Sequence, residues 1–222
     1  MNKLNHVAFI MDGNGRWGLK KSKRRNFGHL NGVKTVKKTV ETAIKLKIPI
    51  VTFYVFSTEN WKRPKTEISF LFKLITTYFK KELNNVISNG IKIKILGKTN
   101  KLPLQIKSSL KKAVYLTKEN KKIIVNLAIN YGSRDELVEA TTKIKSKINV
   151  KSIEKNLYTK NLPNPDILIR TGGRKRLSNF MLWQLAYAEI YFLDKLWPDF
   201  EYKDFIKIVN DFKKVKRNYG SI

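Results

Sequence analysis

The chain has 222 residues, a mass of 25.9 kDa and a formal net charge of +29, a length that suits one domain spanning 1–222 and suffices to bury most of the apolar surface its unfolded form exposes. It has no cysteine, which removes disulfides, thiolate nucleophiles and cysteine-held zinc or iron–sulfur sites, so any metal must sit on oxygen or histidine. No stretch approaches the ~20 apolar residues that span a bilayer and the first residues hold no long apolar core of a signal peptide, so the expected location is cytoplasmic.

His6 to Met11 is a short apolar run ending in Asp12-Gly13-Asn14-Gly15-Arg16, which reads as a buried strand entering a polar loop. A helix is expected from about His29 to Lys47, with Val33, Val36, Val40, Ala43 and Ile44 on one face and Pro49 beyond its end. Residues 50–56 form a second buried strand that runs into Ser57-Thr58-Glu59-Asn60-Trp61-Lys62-Arg63-Pro64. Thr66 can cap the next helix, which ends near Asn89 before Gly90. Strands follow at 91–96 and 123–130 with a helix from about 102 to 118 between them, and another helix begins near Ser133. Asp166 to Arg170 is a strand leading into the loop 171–179, residues 189–192 form the last strand, and a helix starts at about Lys203.

This alternation predicts an α/β fold with a central, mostly parallel sheet of about six strands flanked by helices. Ligands of such sheets bind where loops leave the carboxyl ends of the strands, so the three polar loops should meet in one site.

The charge raises nucleic acid and anionic membrane as partners. Lysines such as Lys37-Lys38, Lys80-Lys81 and Lys111-Lys112 are spread through the chain as a solvated surface would have them. Arg16, Arg24, Arg25, Arg63, Arg170, Arg174 and Arg176 instead fall in three short polar segments, where a planar guanidinium can grip phosphate oxygens. In the first segment the glycines let backbone N–H groups approach an anion, and Asp12 offers the hard oxygen that Mg²⁺ takes beside substrate phosphates. The bland alternative is a tight turn with an exposed Asp. His29 lies beside Arg24-Arg25 and is read as a ligand contact, whereas His6 is read as a structural residue of a strand. Arg170, Arg176 and Ser178 supply a second anion pocket. Two pockets imply two phosphorylated substrates or one polyanion, and only Trp17 and Trp61 lie close enough to stack on bases, which argues against nucleic acid. Residues 66–89 carry more apolar side chains than one core-facing stripe requires, among them Phe70, Leu71, Leu74, Ile75, Tyr78 and Phe79. Such a helix is deeply buried, packed at a dimer interface, or the wall of an apolar tunnel.

Five segments, HVAFIMDGNGRW (6–17), RRNFGH (24–29), FSTENWKRP (56–64), NYGSRDEL (130–137) and the run from Asp166 to Phe200, resemble the cis-prenyltransferases, and within them the bacterial undecaprenyl diphosphate synthases. The resemblance implies a homodimeric, Mg²⁺-dependent enzyme with an apolar product tunnel that condenses isopentenyl diphosphate onto an allylic diphosphate, typically farnesyl diphosphate. It implies Asp12 as the metal-linked carboxylate and Asn60 as the residue at the proton-accepting position, although a neutral amide is too weak a base to do more than position or relay. Gly13, Asn14, Gly15, Arg16, Trp17, Arg25 and His29 would hold the allylic substrate, and Ser57, Thr58, Glu59, Trp61 and Arg63 would line the reacting centre. Arg170, Arg176, Leu177 and Ser178 would surround isopentenyl diphosphate, with Glu189 as the second Mg²⁺ carboxylate. The chain departs from the family pattern at Arg174, where Glu is usual, and at Lys175, where some members place a metal-binding His. A cation cannot ligate Mg²⁺. Val55 stands where a smaller residue is common near the tunnel mouth. The charge further suggests peripheral contact with anionic membrane, and RNA binding or a catalytically silent partner subunit are the competing readings.

Overall fold

The computed structural model describes residues 2–217. The elements are β1 (His6–Ile10), α1 (Asn14–Ser22), α2 (Arg25–Lys45), β2 (Ile50–Ser57), a 3-10 turn (Thr58–Lys62), α3 (Lys65–Ser88), β3 (Ile91–Leu96), α4 (Leu104–Leu116), β4 (Ile123–Tyr131), α5 (Ser133–Thr142), α6 (Val150–Glu154), β5 (Ile167–Arg170), β6 (Glu189–Phe192), a second 3-10 turn (Trp197–Asp199) and α7 (Tyr202–Lys214). The six strands form one sheet in the order β3-β4-β2-β1-β5-β6, and every neighbouring pair is parallel. The expected α/β architecture is therefore present, with the sheet wholly rather than mostly parallel. Among the described residues no helix is long and apolar enough to cross a membrane.

Alternate side chains of a strand face opposite sides of the sheet, and β1 divides accordingly. Val7 and Phe9 join a core with Val51, Phe53, Trp197 and Phe205, while Ala8 and Ile10 join Leu168, Phe180 and Met181 on the other face. Covering both faces explains why the strands read as continuous apolar runs.

A polar chain crosses this apolar sheet. Pro163 O can only accept, so His6 Nδ1 carries the proton and donates to it at 2.8 Å. Thr52 Oγ1 then donates to His6 Nε2 at 2.6 Å and accepts from Asn126 Nδ2 at 2.8 Å. Because Thr52 pairs with Ala8 on one side and Asn126 on the other, the chain of bonds fixes β1, β2 and β4 in one register; a slip would strand fully buried polar groups. His6 is structural, as its place in a strand suggested.

Three boundaries differ from the sequence expectation. Asn14 to Arg16 is the first turn of α1, not loop. This glycine-containing helix has weak intrinsic propensity but packs so closely on α2 that a Cβ on Gly28 would lie 1.7 Å from the Asn14 carbonyl oxygen. α2 begins at Arg25, so His29 sits inside a helix rather than at its start. α3 begins at Lys65 behind Pro64, and Thr66 lies within its first turn instead of capping it.

Candidate active site

The carboxyl ends of β1, β2 and β5 bring the three polar segments together. Gly13 follows Asp12 with φ 108°, a backbone that L side chains rarely adopt, and a Cβ there would meet Leu196 at 2.8–3.0 Å. This turn leaves the N–H groups of Asn14, Gly15 and Arg16 at the open start of α1, with no side-chain cap and no acidic residue in the first turn. An uncapped helix N-terminus of this kind attracts anions. A Cβ on Gly15 would sit 2.7 Å from the Arg25 guanidinium carbon, so a larger residue there would displace that side chain from the cradle.

Asp12 is held from both sides. Its Oδ2 accepts from Arg170 Nη2 at 2.9 Å and its Oδ1 from Arg16 Nη2 at 3.1 Å. Arg170 is only 3% exposed, and its Nη1 donates to Ser178 Oγ at 2.8 Å and to the Arg176 carbonyl. The Arg176 side chain remains exposed. Thr171 Oγ1 and Trp197 N–H both donate to the Asp12 carbonyl, at 2.8 and 3.0 Å. Asp12 is thus positioned by β5 and the loop after it.

The β2 loop is fixed by its amides. Asn60 Oδ1 accepts from Ser57 N–H at 3.2 Å within a reciprocal capping box, so the oxygen that would take a proton is already engaged. Trp61 Nε1 donates to Asn130 Oδ1 at 2.8 Å. Glu59 Oε1 accepts from Asn179 Nδ2 at 2.8 Å, and Asn179 Oδ1 accepts from Arg134 N–H. Asn130 and Asn179 tie three loops together, and neither was singled out from sequence. Both have positive φ, 49° at the end of β4 and 61° in the loop after β5, a conformation that Asn adopts more readily than most side chains.

Glu67 on α3 is the other residue missed. Its carboxylate accepts from Arg25 Nε at 3.1 Å and Arg63 Nη1 at 3.0 Å, and His29 Nε2 lies 3.6 Å away. Burial pushes the Glu67 carboxyl up, but the two guanidinium groups outweigh it and hold it below the usual value. Burial pushes His29 down to about 4, despite the opposing pull of Glu67. His29 is therefore neutral near pH 7, and its Nε2 has no hydrogen-bond partner; nor has the buried Asn14 Oδ1.

Both orphaned atoms belong to residues at one end of a cavity of about 190 Å³. Val36 and Val40 of α2, Leu71, Ile75 and Tyr78 of α3, and Leu127 of β4 line its walls. An apolar cleft of this kind suits a hydrocarbon chain, which gains by leaving water for its walls. This arrangement accounts for much of the apolar surplus of α3: Ile68 and Phe72 are buried in the core, Phe79 and Val86 are buried against the cavity, and Leu71, Leu74, Ile75 and Tyr78 also face it.

Two expected ligands are elsewhere. Glu189 begins β6 and pairs with Ile167, which pairs with Val7, whereas the strand end beside Asp12 is the row Ile10, Arg170 and Phe192. Three residues at about 3.3 Å each, plus two strand spacings of about 4.8 Å, keep Glu189 and Asp12 of one chain from sharing an ion. Trp17 is turned away to stack on Phe27, and its Nε1 donates to Asp199 Oδ1 at 2.7 Å. It packs α1 against its neighbours. Arg174 and Lys175 are exposed.

Fold and site together define an α/β protein with an anion cradle at the carboxyl edge of a parallel sheet and an apolar cavity leading away from it. The chain belongs to the prenyltransferase family described as putative undecaprenyl diphosphate synthase, whose model matches residues 10–220. It is 46% identical over 224 residues to the isoprenyl transferase of Rickettsia bellii, covering 99% of both chains. It is 42% identical to that of Oceanobacillus iheyensis, covering 100% of this chain and 92% of the other. Among solved structures it resembles lavandulyl diphosphate synthase from Lavandula x intermedia in complex with dimethylallyl diphosphate, with a TM-score of 0.93, 31% identity and 98% coverage of both chains. It also resembles a probable undecaprenyl diphosphate synthase from Campylobacter jejuni, with a TM-score of 0.86, 35% identity and 100% coverage of both.

Proposed function

We propose that this protein is a cis-prenyltransferase that condenses isopentenyl diphosphate with an allylic diphosphate, farnesyl diphosphate being the primer, to build a long polyprenyl diphosphate of undecaprenyl length for a cell-wall lipid carrier. One observation carries the reading: the unpaired His29 Nε2 and the uncapped N–H groups of α1 stand where a cationic cradle opens into an apolar cavity. A ligand with a diphosphate head and a hydrocarbon tail satisfies both halves.

The α1 N-terminus with Gly13, Asn14, Gly15 and Arg16, joined by Arg25 and His29, holds the allylic diphosphate. Its tail enters the cavity. Arg170, Arg176, Leu177 and Ser178 border the isopentenyl diphosphate, and Ser57, Thr58, Glu59, Trp61 and Arg63 frame the reacting carbons. The allylic C–O bond breaks with its electron pair leaving on the diphosphate, where guanidinium and N–H groups stabilise the growing charge. The isopentenyl double bond forms the new C–C bond and a proton is lost. With its Oδ1 occupied by Ser57 N–H, Asn60 positions the loop, and a diphosphate oxygen is the better acceptor.

Among the described residues no three carboxylate or histidine side chains cluster as a protein-only metal cage. Asp12 still suits Mg²⁺, which takes one or two carboxylates and completes its shell with phosphate oxygens and water. The Asp12 side chain is 28% exposed, and Arg16, at 43%, has room to swing aside from Oδ1. Mg²⁺ held there would neutralise charge on the departing diphosphate.

The separation of Glu189 from Asp12 supports a homodimer in which Glu189 of the partner subunit approaches the cradle, since β6 is an edge strand with Ile190 and Phe192 exposed. The lysine-rich surface supports peripheral contact with anionic membrane, where a polyprenyl product must partition. The test is to incubate purified protein with Mg²⁺, farnesyl diphosphate and labelled isopentenyl diphosphate. Label extractable into butanol is expected, and its absence would refute the enzymatic reading.

A further inference from the structure

Ser178 and Asn179 follow one another in the loop after β5, and both have positive φ, 51° and 61°, a conformation that costs energy for side chains other than Gly and, to a lesser degree, Asn. The turn sends their side chains to different parts of the site. Ser178 Oγ accepts from Arg170 Nη1 at 2.8 Å, and Arg170 in turn holds Asp12. Asn179 Nδ2 donates to Glu59 Oε1 at 2.8 Å, in the segment after β2 that also carries Asn60 and Trp61.

The orientation of the Asn179 amide is set by α5. Gly132 precedes that helix and offers no side-chain cap. The cap comes from the loop instead: Ser133 N–H donates to the Asn179 carbonyl at 2.8 Å, and Arg134 N–H donates to Asn179 Oδ1 at 2.9 Å. The first N–H groups of a helix need such acceptors. With Oδ1 taken, the NH₂ is left for Glu59, which as a carboxylate can only accept. Burial pushes the Glu59 carboxyl up, but hydrogen bonds led by that from Asn179 outweigh it and hold the group below its usual value. The three segments also approach closely, since a Cβ on Gly132 would lie 2.6 Å from Thr58 Oγ1 and 2.8 Å from Asn179 Nδ2.

We infer that Asn179 is a positioning residue for the condensation, holding the loop that frames the reacting carbons at a fixed distance from the isopentenyl diphosphate pocket. The inference rests on the prenyltransferase reading and adds a residue that acts through its neighbours. Arg170 and Ser178 border one substrate, and the segment after β2 faces the other. The isopentenyl double bond has to meet the allylic carbon at about 3–3.5 Å, and an error of about 1 Å can cost about a hundredfold in rate. α5 supplies the fixed point, because Asn179 is bonded to its first turn and to Glu59 at once. The allylic diphosphate is gripped by α1 and α2, to which Asn179 makes no hydrogen bond among the described residues.

The experiment uses the full-length protein and three variants. Asn179→Asp tolerates the positive φ and keeps an acceptor for Arg134 N–H, but sets two carboxylates against each other. Asn179→Gly keeps the backbone and removes the amide. Asn179→Asp/Glu59→Gln rebuilds the bond with donor and acceptor exchanged. Steady-state rates with Mg²⁺, farnesyl diphosphate and labelled isopentenyl diphosphate are paired with calorimetric titration of farnesyl diphosphate alone. Both single variants should lose about tenfold in kcat and gain about threefold in the isopentenyl diphosphate KM, with the affinity for farnesyl diphosphate unchanged. The exchanged pair should recover most of that loss. Weaker binding of both substrates alike, wild-type rates in both single variants, or an exchanged pair no better than Asn179→Asp overturns the inference while the enzymatic reading stands. If the wild type itself yields no polyprenyl product, the enzymatic reading falls and this inference with it.

Discussion

Arg170 and Asp12, 158 positions apart in the chain, meet at 2.9 Å with the guanidinium almost wholly buried and the carboxylate partly open to solvent. An exposed loop Asp could be replaced at little cost to the fold, but this one neutralises a buried cation. Asp12→Ala should therefore abolish turnover and also lower stability. Loss of one member of a fully buried pair costs 3–5 kcal/mol; screening at the partly open Asp12 reduces this to roughly 1–2 kcal/mol. For a chain of this size the expected fall in Tm is about 2–8 °C, with the far-ultraviolet circular dichroism retained. A variant as stable as wild type would mean that Arg170 finds another partner.

Glu67 holds the guanidinium groups of Arg25 and Arg63 in place before any substrate arrives. Glu67→Gln keeps the shape and loses the charge. The KM for the allylic diphosphate should rise roughly tenfold, the equivalent of about 1.4 kcal/mol of lost preorganisation, with kcat less affected. Steady-state kinetics that leave KM unchanged would dismiss Glu67 as a positioning residue.

The Asn60 amide oxygen caps the backbone of Ser57. Asn60→Ala should lose about 1 kcal/mol of stability, as removal of a cap does, while Asn60→Asp retains an acceptor and should melt close to wild type. Thermal denaturation of the two variants side by side decides this, and equal losses would show that the cap contributes nothing.

Both histidines are held neutral. Burial takes His6 down to about 4, against the smaller raising effects of the Pro163 carbonyl and Asp166, and His29 is likewise at about 4. In the unfolded chain each accepts a proton near pH 6.5. As pH falls from 6.5 towards 4, protons bind the unfolded chain and not the fold, so stability declines across that window and levels off below it. For His6 the full effect is about 3 kcal/mol. Urea unfolding at pH 7 and pH 4.5 measures it, and nuclear magnetic resonance should show both imidazole rings unprotonated at pH 5.5. A ring titrating near 6.5 would contradict the burial described for it.

The sheet was legible because β1, β2, β4 and β5 are covered on both faces and so appear as unbroken apolar runs. The cradle was legible in part: glycines and arginines mark an anion site locally. α1 was not, since Asn14-Gly15-Arg16-Trp17-Gly18 has poor helix propensity and becomes helical by packing against Gly28. Glu67 looks like any solvated Glu of an amphipathic helix until Arg25, 42 positions away, is placed against it. Glu189 was expected to share a metal ion with Asp12, but only strand register reveals that it stands too far from Asp12 within one chain.

The order of strands also governs when this site can exist during synthesis. β1 leaves the ribosome before either strand that pairs with it, and one of its edges waits for residues 167–170. At 5–20 residues per second, that edge has no partner for about 8–30 s. Asp12, at the end of β1, meets Arg170 only after a further 158 residues have been made, so a nascent chain cut short before then carries the glycine turn without the arginine that orients the carboxylate.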